Sequence, residues 1–224
     1  MSEHSASQES STTATVQIAL IGMSGSGKSH WSAKLRKQGF YSFSCDDLIE
    51  KKLKEDLELQ NGKKISMAEW MGLPYEPQYA DAEQRYLKYE VEMLEYICNN
   101  LSAEKYNNQN VVVDTTGSLI YTGDELISCL KKKTTLVYLK AASGAIDAMY
   151  KSFLQNPRPV LWHGHYDKKS GESDKEALLR CYPQLLKCRQ REYERFADVV
   201  IDIETLRKSG FGVKEFIEKI QSWH

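Results

Sequence analysis

Eight residues near the start of the chain, Gly22-Met23-Ser24-Gly25-Ser26-Gly27-Lys28-Ser29, have the types and spacing that phosphate chemistry requires. The pattern is G-x-x-x-x-G-K-S. Its glycines let backbone N–H groups turn inward and approach phosphate oxygens with no Cβ in the way. A helix beginning near Lys28 would add the positive end of its dipole. In such a loop, Gly22, Ser24, Gly25, Ser26 and Gly27 cradle the phosphates. Lys28 reaches the β- and γ-phosphates, and the Ser29 hydroxyl ligates Mg²⁺. A chance match in a chain of 224 residues is on the order of one in a hundred. The alternative is a glycine-rich turn with no ligand.

Acidic residues fall where such a site needs them. Asp46 and Asp47 follow a short strand-like run, and Val111-Val112-Val113 ends in Asp114. Phosphoryl transfer needs a carboxylate near Mg²⁺ and often a second to orient the attacking hydroxyl. Asp114 stands at the Walker B position, the acidic end of a buried strand. Two plainer roles compete: Asp114 as a turn residue holding loop amides, and Asp46 as a helix N-cap.

The elements that must position these residues are legible in outline. Val16-Gln17-Ile18-Ala19-Leu20-Ile21 reads as a strand buried on both faces. A helix follows from about Lys28 to Lys37, with Trp31 and Leu35 on one face. Further strands are expected at Tyr41–Ser44, Val111–Val113, Thr135–Leu139 and Val199–Ile201. Helices are expected from Asp46 through Glu55, and over 65–72, 78–101, 123–132, 142–155, 174–196 and 213–222. Strands alternating with helices imply a parallel sheet covered on both faces, an α/β/α three-layer fold. Ligands of such sheets bind beyond the carboxyl ends of the strands, which is where the residues above fall.

Bulk properties set limits. Residues 1–14 are rich in Ser and Thr and read as a disordered tail, leaving 15–224 as a single domain. The formal net charge of −1 argues against a strongly basic nucleic-acid binder. No apolar run approaches the roughly 18 residues of a membrane helix, and the N-terminus lacks the apolar centre of a secretory signal. The five cysteines contain no C-x-x-C pair, so reduced thiols in the cytoplasm are expected, with no zinc site. A monomer is expected.

The order of motifs resembles the shikimate kinases, over roughly residues 16–204. Beyond the phosphate loop, Phe43-Ser44-Cys45-Asp46-Asp47-Leu48-Ile49-Glu50 is similar to that family's F-x-D-x-D-x-x-I-E. Asp114-Thr115-Thr116-Gly117-Ser118 stands where the family has a T-G-G-G turn. Arg158-Pro159-Val160-Leu161 resembles the R-P-L-L motif that opens the ATP lid, and Arg189 to Ala197 resembles R-x-x-x-Y-x-x-x-A. The resemblance implies ATP and Mg²⁺ as cofactors and a five-stranded sheet of order 2-3-1-4-5. It implies a helical substrate lobe at about 46–100 and a lid at about 156–174. It also implies roles. Asp46 would hold the acceptor hydroxyl and assist its deprotonation, and Gly117 would offer its backbone N–H to substrate. Arg158 would swing onto the ATP phosphates. Arg189 would bind a substrate anion through its guanidinium fork. For the two arginines, a solvated loop charge and a surface helix charge are the plainer readings.

Departures from the pattern bear on the acceptor. The family's first Asp in the second-strand motif is Ser44 here, and Asp114 is the expected replacement as metal ligand. Thr116 and Ser118 flank Gly117 and would add side chains facing the substrate. The family's F-R-x-x-E aligns with Tyr86-Leu87-Lys88-Tyr89-Glu90, so a carboxylate-binding arginine becomes Leu87. Arg85 is two positions away, on a different helix face. The stretch from Glu50 to Glu90 exceeds the family's by about a dozen residues and carries Trp70, Tyr75 and Tyr79, where insertions change specificity. A charged hydrogen bond lost from a pocket is worth roughly 2–5 kcal/mol. The expected activity is therefore ATP- and Mg²⁺-dependent phosphorylation of a small-molecule hydroxyl other than shikimate's. The alternatives are an authentic shikimate kinase clamping its substrate with Arg85, and a nucleotide-binding regulatory protein with little turnover. Lys168–Ser173 reads as a polar, uncapped part of the lid, beside His163, His165 and Asp167 as a conceivable metal cluster. The lysine runs at 51–54 and 131–133 read as solvated helix ends.

Overall fold

The computed structural model describes residues 15–142 and 144–223; the expected tail over 1–14 lies outside the described residues. Strands β1 (Gln17–Ile21), β2 (Tyr41–Ser44), β3 (Val111–Asp114), β4 (Thr135–Lys140) and β5 (Val199–Asp202) form one sheet of order β2-β3-β1-β4-β5. Every neighbouring pair is parallel. The order is the one that the resemblance implied.

Side chains alternate across the pleat, so each central strand feeds two cores. Ala19, Ile21, Val111, Val113, Leu136 and Tyr138 face one layer, while Ile18, Leu20, Val112, Val137 and Leu139 face the other. The second layer is closed by helix α1 (Lys28–Lys37) and the C-terminal helix, whose Trp31 and Phe216 rings stack at 4.5 Å. The first layer is closed by α4 (Tyr79–Leu101), α5 (Asp124–Lys131) and α7 (Asp174–Phe196). The remaining helices are α2 (Cys45–Lys52), α3 (Met67–Met71), α6 (Ile146–Gln155), α8 (Ile203–Leu206) and α9 (Val213–Gln221).

Three local expectations are corrected. Asp46 does not cap α2; Ser44 does, its Oγ accepting from the Asp47 N–H at 3.2 Å, and the helix ends at Lys52 rather than Glu55. A serine cap satisfies an orphan amide of the first turn and leaves the neighbouring carboxylate free. The segment before α7 is capped: Ser173 accepts from the Glu176 N–H and Glu176 reaches back to the Ser173 N–H, a full capping box. Lys131 is an exposed helix end as expected, and it also pairs with Asp198 at 2.8 Å and donates to the Phe196 carbonyl. Short turns of 3₁₀ helix at Glu104–Tyr106 and Leu119–Tyr121, and helix α8, are too short for periodicity to reveal.

Parallel register brings the carboxyl ends of three strands level. Leu20 lies beside Asp114, and Asp114 beside Ser44. The loops that leave this edge carry the candidate site.

Candidate active site

The phosphate loop runs from the end of β1 to the first turn of α1. Gly22 sits at φ 142°, and a Cβ there would lie 2.9 Å from the Leu139 carbonyl oxygen and 3.0 Å from Ser26 Oγ. Only glycine fits that passage between β1 and β4. Gly27 occupies the N-cap position of α1. Lys28 is buried, and its Nζ donates to the carbonyls of Gly22 (2.8 Å) and Met23 (3.1 Å), which arches the side chain over the loop. Burial lowers the Lys28 pKa; the charges of Asp114 and Asp46 oppose that shift, and those of Arg158 and Arg189 reinforce it. These five charged side chains share one electrostatic neighbourhood although they come from five separate stretches of the chain.

Asp114 is buried at the end of β3. Burial raises its pKa, against a hydrogen bond from Ser29 and the Lys28 charge. A hydroxyl and a carboxylate side by side are hard oxygen donors, the set that Mg²⁺ accepts while keeping its waters and phosphate ligands. Ser26 Oγ is buried with no hydrogen-bond partner. An orphaned hydroxyl, the passage at Gly22 that a Cβ would fill, and the Ser29–Asp114 pair fit a nucleotide phosphate with its metal. His163, His165 and Asp167 form no metal cluster: among the described residues, no three His, Cys, Asp or Glu side chains come together to hold an ion.

Two cavities flank the loop. The first, of about 560 Å³, is lined by Lys28, Ser29, Asp46, Gly117, Arg158 and Arg189, together with Ser24, Gly25 and Gly27. The second, of about 290 Å³, lies between Ser24, Gly25 and Ser26 on one side and α6 on the other, closed by Ile203 and Arg207 after β5. Arg158 is exposed and borders both. The expected site residues thus converge, Gly22 and Asp114 lying in the framework behind the cavity wall.

The side of the larger cavity around Asp46 is built differently. Asp46 receives the Tyr86 phenol O–H at 3.2 Å. Gly117 packs its α-carbon against the loop; a Cβ there would meet the Ser24 N at 3.2 Å and Arg189 Nη1 at 3.5 Å. Its carbonyl accepts from Tyr193 Oη at 2.5 Å. Arg189 is no surface charge. It is 4% exposed, donates through Nη2 to the Leu161 carbonyl (2.7 Å) and through Nε to Tyr121 Oη (3.4 Å), and lies over the Tyr121 ring. Among the described residues no carboxylate pairs with it directly, so it presents an unneutralised guanidinium to the cavity wall.

Thr116 and Ser118 do not offer their side chains to a substrate as expected. Both hydroxyls turn inward onto Glu90, which is fully buried; Ser118 Oγ donates to Oε2 at 2.8 Å and Thr116 Oγ1 contacts Oε1. Burial pushes the Glu90 carboxyl up to about 8, against the Ser118 hydrogen bond. Arg85 does not face the cavity either. It pairs with Asp56 at 2.6 Å and lies over the Trp70 ring, while Leu87 packs against the core. Sequence reasoning missed Tyr86 and Glu90 as parts of the site. The signal was there: both fall on the apolar stripe of α4 with Met93, Leu94 and Ile97, where a carboxylate needs a polar partner.

A scan against protein-family models finds no match, and a search of curated proteins finds none either. Solved structures do match. Shikimate kinase from Acinetobacter baumannii, solved in complex with shikimate, superposes with a TM-score of 0.60 at 18% identity, covering 93% of this chain and 95% of that one. Shikimate kinase from Bacteroides thetaiotaomicron superposes with a TM-score of 0.55 at 19% identity, covering 93% of each. The fold is that of shikimate kinase. Identities this low speak to the fold alone. Within the shikimate kinase fold, the phosphate loop, the turn after β3 and the Arg158 segment lie at the carboxyl edge of the sheet, where this architecture places ligands.

Proposed function

We propose that this protein transfers the γ-phosphoryl group of ATP, with Mg²⁺, to a hydroxyl of a small molecule other than shikimate. One observation carries the reading: Lys28 of the phosphate loop and Asp46 line the same cavity, with Arg158 and Arg189 on its walls. Lys28, the loop amides and Arg158 are suited to stabilise charge on the transferred group. Asp46, steadied by Tyr86, is placed to accept a hydrogen bond from the acceptor hydroxyl and take its proton as the oxygen attacks phosphorus and ADP leaves. Mg²⁺, held by Ser29 with Asp114, would neutralise the β- and γ-oxygens. The smaller cavity beside Ile203 and Arg207 suits the nucleoside. In this reading residues 15–224 form one catalytic domain, 46–100 serve as the acceptor lobe and 156–174 as the lid. Among the described residues no helix is long and apolar enough to cross a membrane, and all five cysteines are free.

The acceptor argument rests on charge. With Leu87 in the core and Arg85 bound to Asp56, Arg189 alone remains on the acceptor side to receive a carboxylate. The test is ADP release across a panel of polyols, sugars and cyclic hydroxy acids, with Lys28→Ala as control. Turnover with one class, lost by at least about 10²-fold in the control, supports the reading. Saturation by shikimate at low concentration would overturn the acceptor argument. Tight MgATP binding with no turnover on any acceptor or on water would favour a regulatory module.

A further inference from the structure

The segment that carries Arg158 is irregular backbone, yet it is held at four successive residues. Tyr79 Oη donates to Glu83 Oε1 at 2.5 Å, lies 3.0 Å from the Val160 carbonyl and accepts the Trp162 N–H at 2.7 Å. Glu83 Oε1 also accepts the His163 N–H at 2.8 Å. Arg189 Nη2, from α7, donates to the Leu161 carbonyl at 2.7 Å. Tyr79 and Glu83 are four apart on α4, so they stand on one helix face. Their partners lie about 80 residues away in the chain, two to five positions after Arg158.

Two further features show that the contacts hold a particular conformation. His163 has φ 46°, a left-handed backbone that non-glycine residues keep only when neighbours hold it. It is the one such non-glycine residue among the described residues. Its ring packs on Tyr121 at 4.3 Å, the ring on which Arg189 also lies. Val160, Leu161 and Trp162 are buried while Arg158 is exposed at the mouth of both cavities. A buried anchor thus stands two residues from an exposed guanidinium. Burial and the Glu83 carboxylate push the Tyr79 phenol upward, so it stays protonated as a donor.

We propose that Tyr79 and Glu83 are positioning residues: through the Val160–His163 backbone they fix the strap that presents Arg158 to the phosphates of ATP. Neither touches the reacting atoms. The proposal rests on the phosphotransferase reading and assigns a task to the start of α4, within the long segment that departs from the shikimate kinase pattern.

The test is calorimetric titration of the full chain with MgATP, which needs no acceptor. Wild type should bind, and Lys28→Ala should not. Arg158→Ala and Glu83→Ala should each weaken binding by about tenfold, the scale of one charge-assisted hydrogen bond. Tyr79→Phe should weaken it by about threefold, and Glu83→Gln, which keeps an acceptor for His163, should recover most of the affinity. In the Arg158→Ala background, Glu83→Ala should add nothing, because its effect passes through Arg158. A merely structural role would leave MgATP affinity unmoved or add fully in the double variant, and either result overturns the proposal. So does an Arg158→Ala variant that binds MgATP as wild type does. If Glu83→Ala does not fold, Tyr79→Phe in the two Arg158 backgrounds decides the matter. A wild type that binds no MgATP sinks the phosphotransferase reading itself and the proposal with it; normal wild-type binding with an unaffected Glu83→Ala sinks the proposal alone.

Discussion

The two halves of the cavity, assigned in our proposal to donor and acceptor, are made by different means. The donor half is mostly backbone from one contiguous stretch, Gly22–Ser29, with Lys28 hydrogen-bonded to carbonyls of its own loop. The acceptor half is mostly side chains from distant elements: Asp46 from α2, Tyr86 and Glu90 from α4, Gly117 from the turn after β3 and Arg189 from α7. A contiguous loop recognises what every nucleotide shares. Side chains gathered from several elements can be exchanged one at a time, so acceptor choice can drift while phosphate binding stays.

That contrast can be broken most directly at Asp46. Asp46→Asn should lower turnover by about 10²–10⁴-fold, the range for loss of general-base help, while MgATP affinity measured by titration stays within about twofold of wild type. A parallel loss of MgATP binding would show the two halves to be one unit.

Glu90 tests the acceptor floor through pH. Its carboxyl is raised to about 8 in the folded chain, against about 4.3 when unfolded. The folded state therefore holds the proton where the unfolded state has lost it. This contribution is complete below the unfolded value and is lost as pH rises towards the folded one. Between about pH 5 and pH 7 the loss should amount to about 2–3 kcal/mol. Denaturant unfolding of Glu90→Gln across that range should show the same curve without this downward slope. An unchanged slope would place the titration elsewhere.

Gly117 joins the halves. A methyl there would meet the Ser24 N at 3.2 Å, so the loop backbone must give slightly, and would touch Arg189 Nη1 at 3.5 Å in ordinary contact. Gly117→Ala should cost about 1–3 kcal/mol by overpacking, and should weaken both MgATP and acceptor binding, readable as a lower melting temperature and a raised KM for each. The smallest effect belongs to Arg85. Its pair with Asp56 is largely exposed, so Arg85→Ala should change stability by less than about 1 kcal/mol and leave turnover with any acceptor untouched. A large rise in acceptor KM would restore Arg85 as an anion clamp.

The sheet was legible to within one residue at the strand ends, because buried parallel strands are short apolar runs and each sits between polar turns. Helix ends were less so, and Ser44 shows why. A serine and two aspartates close together all have capping chemistry, and which one caps depends on where β2 stops. The same choice settles Asp46: with Ser44 on the Asp47 amide, its carboxylate is left to the cavity and to Tyr86.

What the sequence determined by itself is the phosphate loop and the layered α/β frame behind it. Both are encoded locally, in glycines that turn, a lysine beside them and apolar runs that alternate across a pleat. What the tertiary structure decided is the acceptor half. Thr116 and Ser118 face Glu90 rather than a substrate, Arg189 is buried and Arg85 is not, and Tyr79 and Glu83 reach the strap of Arg158. Each of these follows from packing between segments about 30 to 80 residues apart, and a buried polar group takes whichever partner that packing supplies.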